Sequence, residues 1–192
     1  MVLFSFCLVY FFVTAVPPCL VHGEEDTSAA ARYEWKIPGP WKFMSSDEIY
    51  LNMSSAQFPK INCIKAKTTK RNVTKRTLSH LVLVHMKSGD QWTWYSMNAT
   101  YYPIDMIGER VKTFRSDDEA SGAVTNYTFI HTTLECAIVQ KNKTNPEKGI
   151  ETSLELWVND QFRTNTTFCA NQFKKICKNA TTFDMNDCME LK

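Results

Sequence analysis

The sequence predicts a mainly β fold, an up-and-down barrel or a sandwich of eight short antiparallel strands with an α-helix packed outside. Three observations carry this. From Glu48 the apolar residues alternate with period two for roughly a hundred residues, the mark of strands with one buried face. Polar turns cut that alternation into eight segments. Only near the end does helical spacing appear, where Cys169, Phe173, Ile176 and Cys177 share one face.

The expected strands are 48–54, 61–68, 78–87, 91–101, 109–115, 123–131, 134–140 and 152–159. Ser88, Gly89 and Asp90 give the clearest hairpin signal, and Lys141 to Gly149 reads as a polar loop. Pro40 before Trp41 opens a short helix to about Asp47, because proline is tolerated in a first turn. The final helix spans Cys169 to Asn179, with Lys174, Lys175 and Lys178 facing away and favouring the negative end of its dipole. Cys169 and Cys177 are eight residues apart, about 12 Å along a helix, too far to bridge each other.

Upstream of this domain, residues 1–23 read as a secretory signal peptide. Val2 to Val16 is apolar, Pro17 and Pro18 break it, and Val21, His22 and Gly23 suit a cleavage site. Residues 24–40 form a polar, then Pro- and Gly-containing N-terminal extension, and 41–192 the single domain. No other apolar run is long enough to span a bilayer, so an extracellular, secreted product with no membrane partner is expected. Asn-X-Ser/Thr triplets at Asn52, Asn72, Asn98, Asn126, Asn142, Asn165 and Asn179 then predict heavy glycosylation. Removing the signal takes Cys7 and Cys19 and leaves Cys63, Cys136, Cys169, Cys177 and Cys188, enough for two disulfides and one odd thiol.

Composition excludes more than it assigns. Twenty-two basic against 20 acidic residues, a net +2, give no reason to expect a nucleic-acid partner. Six glycines form no phosphate-cradling loop, and neither a nucleophile elbow nor a zinc-protease histidine pair is present. His80, His85 and His131 are scattered over strands, so no metal, cofactor or catalytic role is expected. The basic run Lys65, Lys67, Lys70, Arg71, Lys75 and Arg76 could meet an anionic polymer, but Asn72 in its midst favours a solvated hairpin.

Glycan positions fix which way strands face, because a glycan cannot sit inside a packed barrel while side chains alternate. Asn126 outward turns Thr125, Tyr127, Phe129 and His131 inward. Asn98 does the same for Tyr95, Met97 and Tyr101, and Asn52 for Ile49, Leu51 and Met53; a bulge would invert part of any strand. Glu155 and Trp157 alternate with Leu154, Leu156 and Val158. Either the aliphatics fill the core and Glu155 meets solvent, which periodicity alone slightly favours, or Glu155 and Trp157 enter a cavity and the aliphatics pack beneath the final helix. In the second case a carboxylate beside an indole could hold an organic cation.

Cys136-Ala137-Ile138, then Glu155-Leu156-Trp157, then Cys169 after eleven residues, Cys177 and Cys188, with Cys63 upstream and a Trp41–Asp47 helix, resemble the tick salivary lipocalins, or tick histamine-binding proteins. The resemblance implies an eight-stranded lipocalin barrel closed by N- and C-terminal helices, with Cys136 bridging Cys169 and Cys63 bridging Cys188. It turns Glu155 and Trp157 inward, where relatives bind histamine or serotonin scavenged from a host. It departs at Ala137, where amine-binding relatives carry Asp, at Tyr127, which matches another acidic position, and between Asn52 and Cys63, where an acidic and aromatic cluster is missing. Of the carboxylates it implies, Glu155 and Asp47 remain.

The leading expectation is therefore a scavenger of a biogenic amine, with Glu155 as counterion and Trp157, Tyr127, Phe129 and Tyr95 as walls. An alternative is a carrier of a lipid mediator or sterol, with Arg110 or Lys112 meeting a carboxylate. A third is an interaction protein that blocks a host factor such as complement. Cys177 is expected to be a buried thiol or the link of a disulfide-bonded homodimer.

Overall fold

The computed structural model describes residues 39–107, 110–118, 121–147, 149–161, 166–183 and 188. Eight strands form one antiparallel barrel: β1 Glu48–Ser54, β2 Ile61–Asn72, β3 Thr77–Ser88, β4 Gln91–Ile107, β5 Arg110–Asp118, β6 Ala123–Thr132, β7 Cys136–Asn145 and β8 Gly149–Asn159. Each pairs with its neighbour in sequence, and β1 pairs with both β2 and β8, which closes the sheet. The barrel is thus chosen over the sandwich. Helix α1, Pro40–Met44, precedes it, α2, Thr166–Ile176, packs outside, and a two-residue strand β9, Thr181–Thr182, adds to β1.

Several strands outrun the alternation that predicted them. The expected loop from Lys141 is largely strand, because β7 continues to Asn145 in register with β8, pairing Lys141 with Ser153 and Asn145 with Gly149. Both faces of that stretch are polar, so periodicity gave no signal there. Gly89, at φ 61°, supplies the left-handed turn residue of the β3–β4 hairpin, where Ser88 pairs with Gln91. Helix α1 stops three residues short of Asp47, with the Ser45 N–H bonded to the Trp41 carbonyl at 3.0 Å. Helix α2 begins and ends three residues before expectation, and Cys177 follows its last turn through an N–H bond to Phe173 of 2.8 Å.

Two apolar layers hold the structure. Inside, Phe43 and Met44 of α1 plug one end against Ile49, Leu78, Phe114 and Phe129. Outside, Leu154, Leu156 and Val158 of β8 meet Ile138 of β7 and Phe173 of α2. Disulfides Cys136–Cys169 and Cys63–Cys188 tie α2 to β7 and the C-terminal segment to β2. Cys177 is buried just after α2, with its Sγ 3.7 Å from the Asn179 carbonyl oxygen.

Two β-bulges correct the facing assignments. A register shift between Leu51 and Met53 keeps Ile49 and Leu51 inside but sends Met53 to the outer layer beside Tyr50. Another between Phe129 and His131 leaves Thr125, Tyr127 and Phe129 inside while His131 turns out, its ring 5.6 Å from that of Phe168 on α2. Among the glycosylation motifs, Asn72, Asn98 and Asn179 are exposed, Asn52, Asn126 and Asn142 half-buried, and Asn165 lies outside the described residues, as do residues 1–23, expected to be a signal peptide, and residues 24–38 of the expected extension. No helix among the described residues is long and apolar enough to cross a membrane.

Candidate functional site

The barrel encloses a cavity of about 830 Å³. Residues directly opposite on paired antiparallel strands share a face, so the register of β6, β7 and β8 sets its polar wall. Tyr127 faces Lys141, Lys141 faces Ser153, Val139 faces Glu155, and Ala137 faces Trp157. The side chains of Lys141, Glu155 and Trp157 are thereby stacked along one side of the cavity. The wall built from β2 and β3 is aliphatic, with Ile64, Ala66, Val82 and Val84, and β4 adds Met97, Asn98, Ala99, Thr100, Tyr101 and Tyr102.

Glu155 is the centre of the polar wall. It is 1% exposed, and among the described residues it is the one buried carboxylate. Its Oε1 accepts from Lys141 Nζ at 3.2 Å and Ser153 Oγ at 3.4 Å, and its Oε2 accepts from Trp157 Nε1 at 2.8 Å. The reading that left Glu155 in solvent is therefore set aside, since its aliphatic neighbours pack under α2. Tyr101 and Tyr127 stand edge-on with ring centres 5.5 Å apart. Burial first, then Glu155 for Tyr127 and Tyr127 itself for Tyr101, pushes both phenols well above their usual range. Both stay protonated at neutral pH, so each offers a hydroxyl donor.

Below this station lies His80, fully buried on β3, with its Nε2 2.9 Å from the Met44 carbonyl and its ring 5.0 Å from that of Tyr101. Desolvation lowers its pKa to about 4. The imidazole is thus neutral and acts as a tie between the barrel and α1.

Of the residues read from the sequence, Glu155, Trp157, Tyr127 and Phe129 come together in the cavity wall. Tyr95 pairs with Val84 and shares the inner-facing side, but it is 44% exposed beyond the wall. Asp47 does not join them: its side chain is 86% exposed and paired with Arg71 on the surface. Lys112 is exposed, and the side chain of Arg110 lies outside the described residues. The cations lining the cavity are Lys141 and Lys143, which the sequence reading left in a loop. A signal for Lys141 existed, since it sits two residues beyond Val139 on one strand face. Ala137 is buried against Trp157 and Tyr127 is a neutral phenol, so the two acidic positions missing from the sequence are missing from the wall.

The family model described as tick histamine binding protein matches residues 31–190. A search of curated protein sequences returned no match. Among solved structures, japanin from Rhipicephalus appendiculatus bound to cholesterol is similar in fold, with a TM-score of 0.55 at 12% identity, covering 76% of this chain and 97% of that one. Lipocalin 12 from rat epididymis is similar with a TM-score of 0.53 at 17% identity, covering 79% and 88%. Bovine odorant binding protein, as a deswapped triple mutant, gives 0.52 at 11% identity, covering 71% and 91%. The fold is the ligand-binding lipocalin barrel, and the chain belongs to the tick histamine-binding protein family.

Proposed function

We propose that the protein sequesters a small amphipathic mediator with a largely apolar body, a sterol or a lipid, whose polar end sits at Glu155, Lys141 and Tyr127. The observation that carries this is the occupied state of Glu155. Both of its oxygens already have donors, and Lys141 neutralises its charge. The cavity therefore presents a net-neutral polar station beside an apolar wall of Ile64, Ala66, Val82 and Val84, with further polar residues, Ser116, Asp117, Asp118 and Lys143, elsewhere in its lining. Its volume is about 830 Å³, toward the upper end of the roughly 300–1,000 Å³ of small-molecule pockets. Japanin, similar in fold, holds cholesterol, a molecule of this class. The activity is binding alone, and it works only if the mediator is held tightly enough to compete with its receptors. The signal-like leader and the Asn-X-Ser/Thr motifs support action as a secreted glycoprotein.

A biogenic amine, histamine or serotonin, is the second reading. A buried carboxylate bonded to an indole and close to two phenols is suitable chemistry for an ammonium group, and the family's description names histamine. Calorimetric titration with cholesterol, arachidonate, serotonin and histamine separates the readings. Tight uptake of the sterol or the fatty acid supports the first, and tighter uptake of an amine the second. Uptake of none contradicts both and leaves a surface-acting blocker of a host protein.

A further inference from the structure

We infer that Lys141 is a specificity-determining residue that fills the place at Glu155 a cationic ligand would take, so that the cavity favours uncharged polar groups over amines. The inference rests on reading the cavity as a ligand site, and it says which chemistry that site rejects. Lys141 Nζ lies 3.2 Å from Glu155 Oε1. Chemically it is the head group of a primary amine, delivered by the protein's own chain. An amine ligand offers Glu155 nothing that Lys141 does not already supply, and it must first displace it.

The two partners are not equally movable. The Glu155 side chain is 1% exposed and is held on its other oxygen by Trp157, whereas Lys141 is 28% exposed on a flexible four-carbon stem. Displacement therefore means Lys141 swinging away while Glu155 stays. Lys143, on the same face of β7, also lines the cavity, so an incoming amine meets a second cation there. Of the carboxylates in the lining there, Asp117 is already paired with Arg115 at 2.7 Å and Asp118 is bonded to Ser121. A hydroxyl or carbonyl needs no exchange and can bond Lys141, Tyr101 or Tyr127 as they stand.

The test compares Lys141→Met and Lys141→Gln with the unmodified protein, using serotonin and cholesterol as probes. Both variants should bind serotonin about tenfold more tightly or better, with cholesterol affinity changed much less. Adding Glu155→Gln to either should remove the gain. Lys141→Gln keeps a hydrogen-bond donor for Glu155, and the rise in melting temperature with serotonin reads binding even in a weakened fold. Variants that gain no serotonin affinity, or a gain that survives Glu155→Gln, overturn the inference. Failure of the unmodified protein to take up cholesterol or any lipid would instead count against the proposed function, while a serotonin gain would still uphold the role of Lys141.

Discussion

Lys141 and Glu155 form an ion pair of 3.2 Å in which one member is 28% exposed and the other 1%. That asymmetry predicts unequal losses when either is removed. Lys141→Met strands a buried carboxylate and is expected to cost about 3–5 kcal/mol of stability, the usual price of breaking a buried pair. Glu155→Gln leaves an ammonium that can turn toward solvent and should cost about 1 kcal/mol. Urea denaturation measures both, and equal losses would contradict the assignment.

Stability should also fall with mild acid, because of His80. Its folded pKa of about 4 lies below an unfolded value of 6.5, so the unfolded chain binds the proton more readily. The contribution is full above pH 6.5 and is lost as pH falls through 4, to the extent of about 3 kcal/mol. His80→Leu loses the bond to Met44 and is less stable at pH 7, but its midpoint should vary less across this window. An unchanged pH slope in the variant would contradict the role given to His80.

The outer layer carries stability without lining the cavity. Leu156 and Phe173 are fully buried between the barrel and α2. Leu156→Ala should cost about 2–5 kcal/mol and Phe173→Ala about 3–5, with ligand affinity little changed. Phe129→Ala, in the cavity wall, should weaken binding as well. Denaturation and titration of the same variants check this, and a large loss of affinity in Leu156→Ala would show that the layers are not separate.

The strands were legible because alternation survives wherever one face is apolar, as in β1, β3 and β6. It faded in the second half of β7, where Lys141 and Lys143 face a polar part of the cavity and the opposite face meets solvent. The cavity cations Lys141 and Lys143 are hidden from periodicity for that reason, and Arg110 and Lys112 are the cations the sequence offers for a lipid carboxylate instead. Met53 and His131 were misassigned because a bulge leaves no mark in the alternation that it interrupts. Glu155 itself could not be placed by periodicity, since its two faces offered an aliphatic triplet or a carboxylate with an indole. What decided it was α2 covering the aliphatics, a contact between segments distant in sequence. Asp47 is an acidic residue near the barrel entrance in sequence, but Arg71 holds it on the surface.

The central claim is that the barrel holds an amphipathic molecule with its polar end at Glu155 and Lys141. Native mass spectrometry of protein purified without detergent, before and after incubation with a sterol, a fatty acid and serotonin, tests it most directly. The account predicts a one-to-one complex with the sterol or the fatty acid that Phe129→Arg abolishes. A protein that stays ligand-free under every condition, or a complex that persists with arginine at that position, would contradict it.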